Sequence, residues 1–456
     1  MIAFKLRPAA GSPLARAVAR VTSPGMVVAG ATIALSMLRV INSMILTRLL
    51  VPAAFGLVGI IGSVFTVIAM LTDLGFQAYV VRHERGAEPD FLDAVWTIHA
   101  SRGVVLTMIS LALAYPFALA VDKPDILPLL LVASFTFCID GTASLRLISA
   151  IREKQVVRLS AFDVGMSIIQ VCAATILAAI LRSAWALILA MLISSVARSS
   201  LSYILFATRR HRMRIDRALM RDMWGFSRLI MVSSAITLVL AQVDKLLLAR
   251  MFSLADFGVY AIASGLAGAP VGIAFNYCSR VLYPHFAAGW RDERETMSRV
   301  FYANRGKLYP AYLFGCGGLI GGAPLLVHLL YDPRYLGAAR YMAILAIASA
   351  MALPNRAMAE MFNAIGRTSG HLIMNVIRLS WLAVAGIGGF IELGPLGLVL
   401  ALGLIELPPY LFALTALRRR HIASLRHEAL SWLPALGGLG VGWSFAALVL
   451  HLFPNL

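Results

Sequence analysis

Apolar runs of roughly 18 residues or more recur along the whole chain, and each is long enough to cross a hydrocarbon core of about 30 Å as a helix. Short polar segments separate the runs. Thirteen spans can be read, at 26–50, 55–81, 94–121, 126–148, 160–181, 184–207, 226–249, 257–285, 308–331, 339–363, 371–392, 395–417 and 430–453. Of the 456 residues, 60% are hydrophobic and only 14% are charged, more apolar than a soluble domain. The sequence predicts an all-α, polytopic membrane protein with 12–14 transmembrane helices.

The chain carries a net charge of +18, and its arginine and lysine residues alternate between crowded and sparse loops. By the positive-inside rule, the crowded loops and the N-terminal tail, residues 1–25, are expected in the cytoplasm. These clusters adjoin helix ends and do not form a folded basic face interleaved with aromatic residues, so they indicate topology and not nucleic-acid binding. Two of the loops, 209–223 and 289–307, can also form amphipathic helices on anionic lipid headgroups.

One stretch of sequence occurs twice. The segment "NSMILTRLLVPAAFGLVGII" at 42–61 matches "DKLLLARMFSLADFGVYAIA" at 244–263 at a constant offset of 202 residues. The shared positions include Arg48 and Arg250, Phe55 and Phe257, and Gly56 and Gly258. Six predicted spans separate the two copies, so both cross the membrane in the same direction. A parallel repeat predicts two six-helix lobes related by an axis along the membrane normal, around a central cavity.

The repeat sets the predicted domain boundaries. The N-terminal lobe covers 26–207, a basic cytoplasmic linker covers 208–225 and the C-terminal lobe covers 226–417. Residues 418–456 hold a basic loop and a possible additional transmembrane helix. Glycine runs at 315–322, 386–389 and 437–442 lie inside spans, where small residues permit close helix packing.

Several motifs of the chain resemble those of a known family. They are "LTRLLVPAAFGLVG" and "LTDLGFQAYVVRHE" in the first half, then "VDKLLLARMFSLADFGVYAIA", "RVLYPHF" and "FNAIGRT" in the second. They resemble the Wzx-type oligosaccharide flippases, or polysaccharide transporters, of the multidrug/oligosaccharidyl-lipid/polysaccharide exporter (MOP) superfamily. Members of this family more often have twelve or fourteen spans, so the span at 430–453 departs from the pattern.

The resemblance implies a transporter and not an enzyme. It implies that the protein flips an undecaprenyl-diphosphate-linked oligosaccharide from the cytoplasmic to the periplasmic leaflet of the bacterial inner membrane, by alternating access. The glycan would serve exopolysaccharide, capsule or O-antigen synthesis. The expected partners are this lipid-linked glycan, anionic membrane lipids, and a polysaccharide polymerase with other assembly proteins. No cofactor and no metal is expected.

Ionisable side chains inside the predicted spans are candidates for the site, because a charge in the membrane is costly unless it faces a cavity or a partner. The arginines fit a lipid diphosphate, whose oxygens a guanidinium can bind in a bidentate manner. Pairing with nearby acids is the alternative role, as Arg356 and Glu360 are four residues apart, and Arg198 is expected mainly to face helices. The predicted diphosphate or cavity residues are Arg39, Arg102, Arg280, Arg356 and Arg378.

Carboxylates in the same spans predict ion coupling, since an acid in a medium of low dielectric can load and release a proton. The candidates are Asp73, Asp140, Asp244, Glu360 and Glu406. Asp163 is a further carboxylate that can neutralise an arginine. Beside Glu406, two prolines at 408 and 409 remove the amide donors for the carbonyls of residues 404 and 405, which predicts either a cation site or an ordinary kink.

Other functions stay open. A lipid II flippase of peptidoglycan synthesis would share the diphosphate cargo and the lobed architecture. A drug or cation antiporter of the same superfamily would be expected to have an acidic cavity, whereas the charges here lean basic. A membrane-embedded glycan polymerase or ligase would be expected to have a sizeable outer loop, and the predicted outer connections are short.

Overall fold

The regular structure of the described residues is helical and contains no strand, as expected where lipid cannot satisfy open backbone groups. The structure, a computed structural model, describes residues 24–72, 76, 79–80, 83–86, 88–153, 155–206, 209–292 and 297–453. Ten of the described helices are long and apolar enough to cross a membrane, and two bent helix pairs raise this number to 12 if each pair is one span. The predicted all-α, polytopic fold class is confirmed. The tail at 1–25 falls almost entirely outside the described residues.

The described residues of the first half form nine helices, which follow the predicted spans. They are α1 (Pro24–Leu49), α2 (Pro52–Leu71), α3 (Pro89–Val121), α4 (Ile126–Ala133), α5 (Phe135–Gly141), α6 (Arg146–Arg152), α7 (Val156–Leu181), α8 (Ala184–Phe206) and α9 (Arg217–Met251). Helix α9 contains the predicted seventh span, and most side chains in its middle lie outside the described residues.

The second half begins with the long helical segment of the eighth predicted span and ends with the helix of the predicted span at 430–453. Its helices are α10 (Leu254–Ala267), α11 (Ala269–Tyr277), α12 (Tyr283–Asp292), α13 (Met297–Arg305), α14 (Tyr309–Gly321), α15 (Ala323–Leu330), α16 (Ala338–Ala364), α17 (Thr368–Trp381), α18 (Ile387–Leu393), α19 (Pro395–Gly403), α20 (Leu407–Arg418), α21 (Leu425–Ser431) and α22 (Leu433–Leu452). Two π-helical turns, Cys278–Leu282 and Leu382–Gly386, interrupt this series.

Two predicted spans are bent and not straight. The fourth bends by 56° between Gly141 and Arg146, and the ninth by 70° between α14 and α15. In the fourth span the hydroxyl of Ser144 accepts from the backbone amide of Arg146 at 3.3 Å, which replaces a helical hydrogen bond. In the ninth span Gly322 is followed by Pro324 in the first turn of α15, and proline is favoured where a helix starts anew.

The chain divides into two compact units. The first unit contains the described residues up to Leu50 together with Ile61–Val239, and the second contains Val51–Ile60 together with Leu240–Leu456. The division falls inside α9, so the predicted linker at 208–225 groups with the first unit. The first part of α2, which carries one copy of the repeated motif, groups with the second unit.

Within the second unit, the glycines of the repeated motif lie against each other. A Cβ atom at Gly56 would collide with the carbonyl oxygen of Leu254, and a Cβ atom at Gly258 would collide with the carbonyl oxygen of Pro52. The backbones of α2 and α10 therefore approach as closely as only glycine allows.

Helix α22 packs on α14 through the glycine runs noted in the sequence. A Cβ atom at Gly317 would collide with the carbonyl oxygen of Ala435, and one at Gly438 would collide with that of Phe314. The prediction that these runs permit close packing is confirmed. Helix α22, which corresponds to the last predicted span, thus contacts α14 of the second unit directly through the backbone.

A buried ion pair joins the same region to the loop helix α13. The two terminal guanidinium nitrogens of Arg305 donate to the carboxylate of Glu428, at 2.6 and 3.1 Å, and both side chains are 2% exposed. The hydroxyl of Tyr410 donates to the same carboxylate at 2.9 Å. The Arg305 guanidinium also lies over the rings of Phe301 and Tyr309. This pair anchors α21, the short helix that precedes α22.

Candidate functional site

Predicted site residues meet in the second unit, around Glu406. The Arg378 guanidinium donates to both carboxylate oxygens of Glu406, from Nε at 3.0 Å and from Nη2 at 2.7 Å. Its remaining nitrogen, Nη1, donates to Asn375 at 2.7 Å. Asn355 Nδ2 donates to Glu406 Oε2 at 2.7 Å. The charged side chains are 17% and 19% exposed, so this ion pair is largely desolvated but still reachable.

Glu406 occupies a break between two helices. Helix α19 ends at Gly403 and α20 begins at Leu407, with Pro408 and Pro409 in its first turns. Asn355 Nδ2 also donates to the backbone carbonyl of Glu406 at 2.7 Å, and the Tyr410 amide donates to the same carbonyl at 3.2 Å. The amide of Leu407 donates to the carbonyl of Leu404 at 3.0 Å, so that carbonyl is not left open for a cation.

A second charged cluster lies on α16, close to Pro354 in the interior of this helix. Arg356 and Glu360 form an ion pair at 3.4 Å between Nε and Oε1, across one helical turn. Asn363 Nδ2 donates to the other Glu360 oxygen at 3.1 Å. The Arg356 guanidinium lies 4.5 Å from the centre of the Phe275 ring. Glu360 thus has two partners on its own helix.

The remaining predicted arginines have different environments. Arg102 donates from Nε to the carbonyl of Thr72 at 2.8 Å and from Nη2 to that of Ala69 at 2.9 Å. These carbonyls belong to the C-terminal end of α2, so Arg102 caps that helix. Arg39 and Arg280 are exposed on their helices, and neither forms an ion pair with another described residue. Arg280 lies in the π-helical turn Cys278–Leu282, a type of turn that is frequent at functional sites.

The first unit holds a cavity of about 520 Å³ at the bend of the fourth span. Asp140 and Asp163 line it together with Arg198. Arg198 Nη1 lies 3.9 Å from Asp163 Oδ1, and its guanidinium lies 5.7 Å from the Phe162 ring centre. Arg198 is therefore the cation that faces both carboxylates of this cavity. His99 also lines the cavity, and its Nδ1 lies 3.0 Å from the Gly141 carbonyl oxygen.

Two predicted site residues cannot be placed. Asp73 lies outside the described residues, and so does the side chain of Asp244 within α9. Asn355 and Asn375 were not among the predicted site residues, although each contacts a member of the Glu406 cluster. Asn375 lies three residues before Arg378, and this helical spacing was the available signal. Among the described residues, no group of three or more His, Cys, Asp or Glu side chains could hold a metal ion.

The fold is shared with two groups of membrane transporters. A solved structure described as "Lipid II flippase MurJ, inward closed conformation" matches with a TM-score of 0.71 and 13% sequence identity, over 91% of this chain and 91% of that chain. A multidrug resistance MATE family transporter of the MOP superfamily, in an inward-facing conformation, matches with a TM-score of 0.62 and 14% identity, over 85% of this chain and 94% of that chain. At such identities the likeness shows the fold alone.

The family is shown by sequence. A comparison with curated proteins found no match. The family model described as "Polysaccharide biosynthesis protein" matches residues 45–340, which is more than half of the chain. This match and the shared fold confirm the resemblance noted in the sequence, and they show a multi-pass membrane protein. The chain belongs to the polysaccharide biosynthesis protein family.

Proposed function

We propose that the protein is a flippase for an undecaprenyl-diphosphate-linked oligosaccharide, used for exopolysaccharide, capsule or O-antigen synthesis. The observation that carries the proposal is the family match over residues 45–340. The fold, which a lipid II flippase shares, supports a lipid-linked cargo. In this proposal the protein lies in a bacterial inner membrane with its N-terminus in the cytoplasm, and it moves its cargo outward by alternating access.

Arginines are proposed to bind the diphosphate. Arg39 and Arg280 are exposed guanidinium groups inside apolar helices, and neither pairs with an acid among the described residues. A cationic group in such a place is stabilised when an anionic cargo arrives. Arg356 forms an ion pair with Glu360, and Arg378 forms one with Glu406. Cargo phosphates would therefore compete with these carboxylates for the two guanidinium groups. Arg102 is proposed to contribute indirectly, by fixing the C-terminal end of α2 that it caps.

The acids are proposed to couple transport to an ion. Glu406 is the strongest candidate, because it lies at a helix break beside a reachable cation. If cargo displaced Glu406 from Arg378, the Glu406 carboxylate would lose its counter-charge, and binding a proton would remove the cost of that unpaired charge. Glu360 and Asp140 are secondary candidates, and Asp73 and Asp244 remain candidates from the sequence.

The experiment is a gene deletion in the native host. We expect undecaprenyl-diphosphate-linked repeat units to accumulate in the inner leaflet, and the wild-type gene to restore export. Arg39→Ala, Arg280→Ala and Arg378→Ala should each reduce export, while Arg340→Ala, an exposed arginine at the start of α16, should not. Lysine at the same three positions separates charge from bidentate geometry. Full rescue by all three alanine variants would remove the proposed diphosphate site.

A lipid II flippase is the second candidate, and the specific observation in its favour is the fold shared with MurJ. Expression in a strain depleted of its own lipid II flippase distinguishes the two. Restored growth would assign lipid II as a cargo, whereas continued lysis together with polysaccharide export in the native host supports the first proposal. A drug or cation antiporter is supported only by the fold shared with MATE transporters.

A further inference from the structure

The connection between α8 and α9 contacts the first part of α3. Arg209 Nη2 lies 2.9 Å from Asp93 Oδ2, and His211 Nδ1 lies 3.0 Å from Asp93 Oδ1. The backbone amide of Arg214 donates to Thr97 Oγ1 at 2.9 Å. Asp93 and Thr97 are one turn apart in the first part of α3, so residues 209–214 run along the start of that helix.

His211 is the buried point of this contact. Its side chain is 4% exposed, and the ring stacks on Trp96 with 5.8 Å between ring centres. Nε2 lies 3.1 Å from the hydroxyl oxygen of Ser144. Burial lowers the pKa of His211, against the opposing effect of Asp93, while Arg146 and Arg209 also lower it. As a neutral ring, His211 donates from Nδ1 to Asp93 and accepts at Nε2 from Ser144.

The acidic side chains near this connection already have partners within the first unit. Asp90 pairs with Arg214 at 2.6 Å, and Asp222 accepts from the Tyr79 hydroxyl at 2.6 Å. Asp216 caps α9 by accepting from the amides of residues 218 and 219. Four exposed arginines remain that form no ion pair with a described residue. They are Arg210, Arg212, Arg217 and Arg221.

Large apolar side chains point outward from the same segment. Met213 is 82% exposed and Ile215 is 77% exposed, the two highest values among the exposed large hydrophobic residues of the described chain. Trp224, two turns into α9, is 59% exposed. The segment follows the end of α8, a helix long and apolar enough to cross a membrane, and extends through the first two turns of α9. Exposed apolar groups beside these cations indicate a binding surface.

We propose that residues 210–224, the interfacial strip, bind the anionic headgroups of the leaflet that they face. Met213, Ile215 and Trp224 enter the headgroup region, and the four arginines bind lipid phosphates above them. Because the buried His211 side chain holds one side of the strip against α3, the side chains of Met213 and Ile215 point away from the protein. A lipid surface is favoured over a protein or RNA partner because the strip lies beside two helix ends, where headgroups are already present at high concentration.

The test places an environment-sensitive probe on the strip of the full-length protein. Ile215→Cys is labelled with NBD in a background with Cys138→Ala and Cys172→Ala, which leaves only the buried Cys278 and Cys316. The protein is reconstituted in nanodiscs of phosphatidylcholine alone or of phosphatidylcholine with phosphatidylglycerol. We expect a blue-shifted emission and protection from aqueous iodide, both larger with phosphatidylglycerol and both reduced by salt. An aqueous emission in both kinds of disc would overturn the proposal.

Variants separate charge from insertion. Replacing the four arginines with glutamine should abolish the effect of phosphatidylglycerol, since each is worth about five-fold in partitioning to an anionic surface. The matched control replaces the exposed Arg418, Arg419 and Arg420 of another loop with glutamine and should leave the probe unchanged. Met213→Ser keeps the charge and the topology signals, and it should reduce the blue shift. If the phosphatidylglycerol effect survives in the four-glutamine variant, the assignment of these arginines is wrong.

Discussion

Gly56 and Gly258, which the 202-residue repeat relates, pack against each other in the second unit. The same offset relates their contact partners, since Gly56 faces Leu254 and Gly258 faces Pro52. The contact is therefore locally symmetric, with each copy of the motif supplying the surface that the other needs. The Phe-Gly dipeptide recurs because each copy places a helix backbone directly on the other.

Alanine at either glycine should destabilise the protein. The added Cβ would meet a backbone carbonyl oxygen, which cannot rotate away as a side chain can, so overpacking is expected to cost about 1–3 kcal/mol. Thermal unfolding of the purified protein measures this as a lower Tm for Gly56→Ala and for Gly258→Ala. Gly62→Ala is the control, because nothing lies within 4 Å of its added Cβ. An equal Tm for all three variants would contradict the close contact.

The ion pair between Arg378 and Glu406 should show strong coupling in a double-mutant cycle. Arg378→Met or Glu406→Gln alone leaves a largely buried charge or dipole without its partner, at a cost on the order of 3 kcal/mol. The double variant should unfold no more easily than the worse single variant. Chemical unfolding of the three variants and the wild type supplies the four free energies. Additive costs would mean that the two groups do not interact in the folded protein.

Loss of the Arg305 charge should release the C-terminal helices. Arg305→Met removes the counter-charge of Glu428, which is 2% exposed in the wild type, so the cost is expected at about 3–5 kcal/mol. Hydrogen exchange in residues 425–452 should rise more than exchange in α16. Arg299→Met, an exposed change on the same helix α13, is the control and should leave the exchange of that segment unchanged. Glu428→Leu combined with Arg305→Met should restore part of the protection.

Acid should loosen the connection at 209–214. Because the pKa of His211 is lowered in the folded state, the unfolded state binds more protons between that lowered value and about pH 6.5. The stability that the neutral ring provides is therefore present above about pH 6.5 and is lost as the pH falls through this window. Trypsin cleavage after Arg210 and Arg212, in a neutral detergent and corrected for protease activity, should be faster at about pH 5.5 than at about pH 7.5.

His211→Phe tests the assignment of this pH dependence. Phenylalanine can stack on Trp96 but cannot titrate, so cleavage should then be insensitive to pH over the same range. If His211→Phe keeps the full acid effect, a different group opens the connection.

The sequence predicted the helices well because membrane spans are long and depend mainly on composition. It missed the bends at Gly141 and Gly322. One bend depends on a serine hydroxyl and the other on a glycine followed closely by a proline. Neither interrupts the apolar run, so a hydropathy profile does not show them. The glycine runs at 315–322 and 437–442 predicted close packing, but hydropathy cannot tell which run packs on which. That pairing depends on contacts between residues more than a hundred positions apart.

The site was less predictable than the fold. Helical spacing identified the pair of Arg356 and Glu360, since both lie on one helix. Arg378 has no acid three or four residues away on its own helix, so the same rule could not identify its partner Glu406, which lies on another element. Arg102 looked the same in sequence as Arg280, although one caps a helix and the other is exposed. Only the fold separates these roles, because each depends on what lies across from the side chain.

The buried pair of Arg305 and Glu428 makes one residue of the loop helix α13 depend on α21, which directly precedes the last helix α22. A chain that ended before residue 424 would keep a guanidinium in an apolar pocket with no counter-charge. Relatives that lack this helix should therefore carry an uncharged residue at the position of Arg305. The extra helix and that arginine are expected to be gained or lost together in evolution.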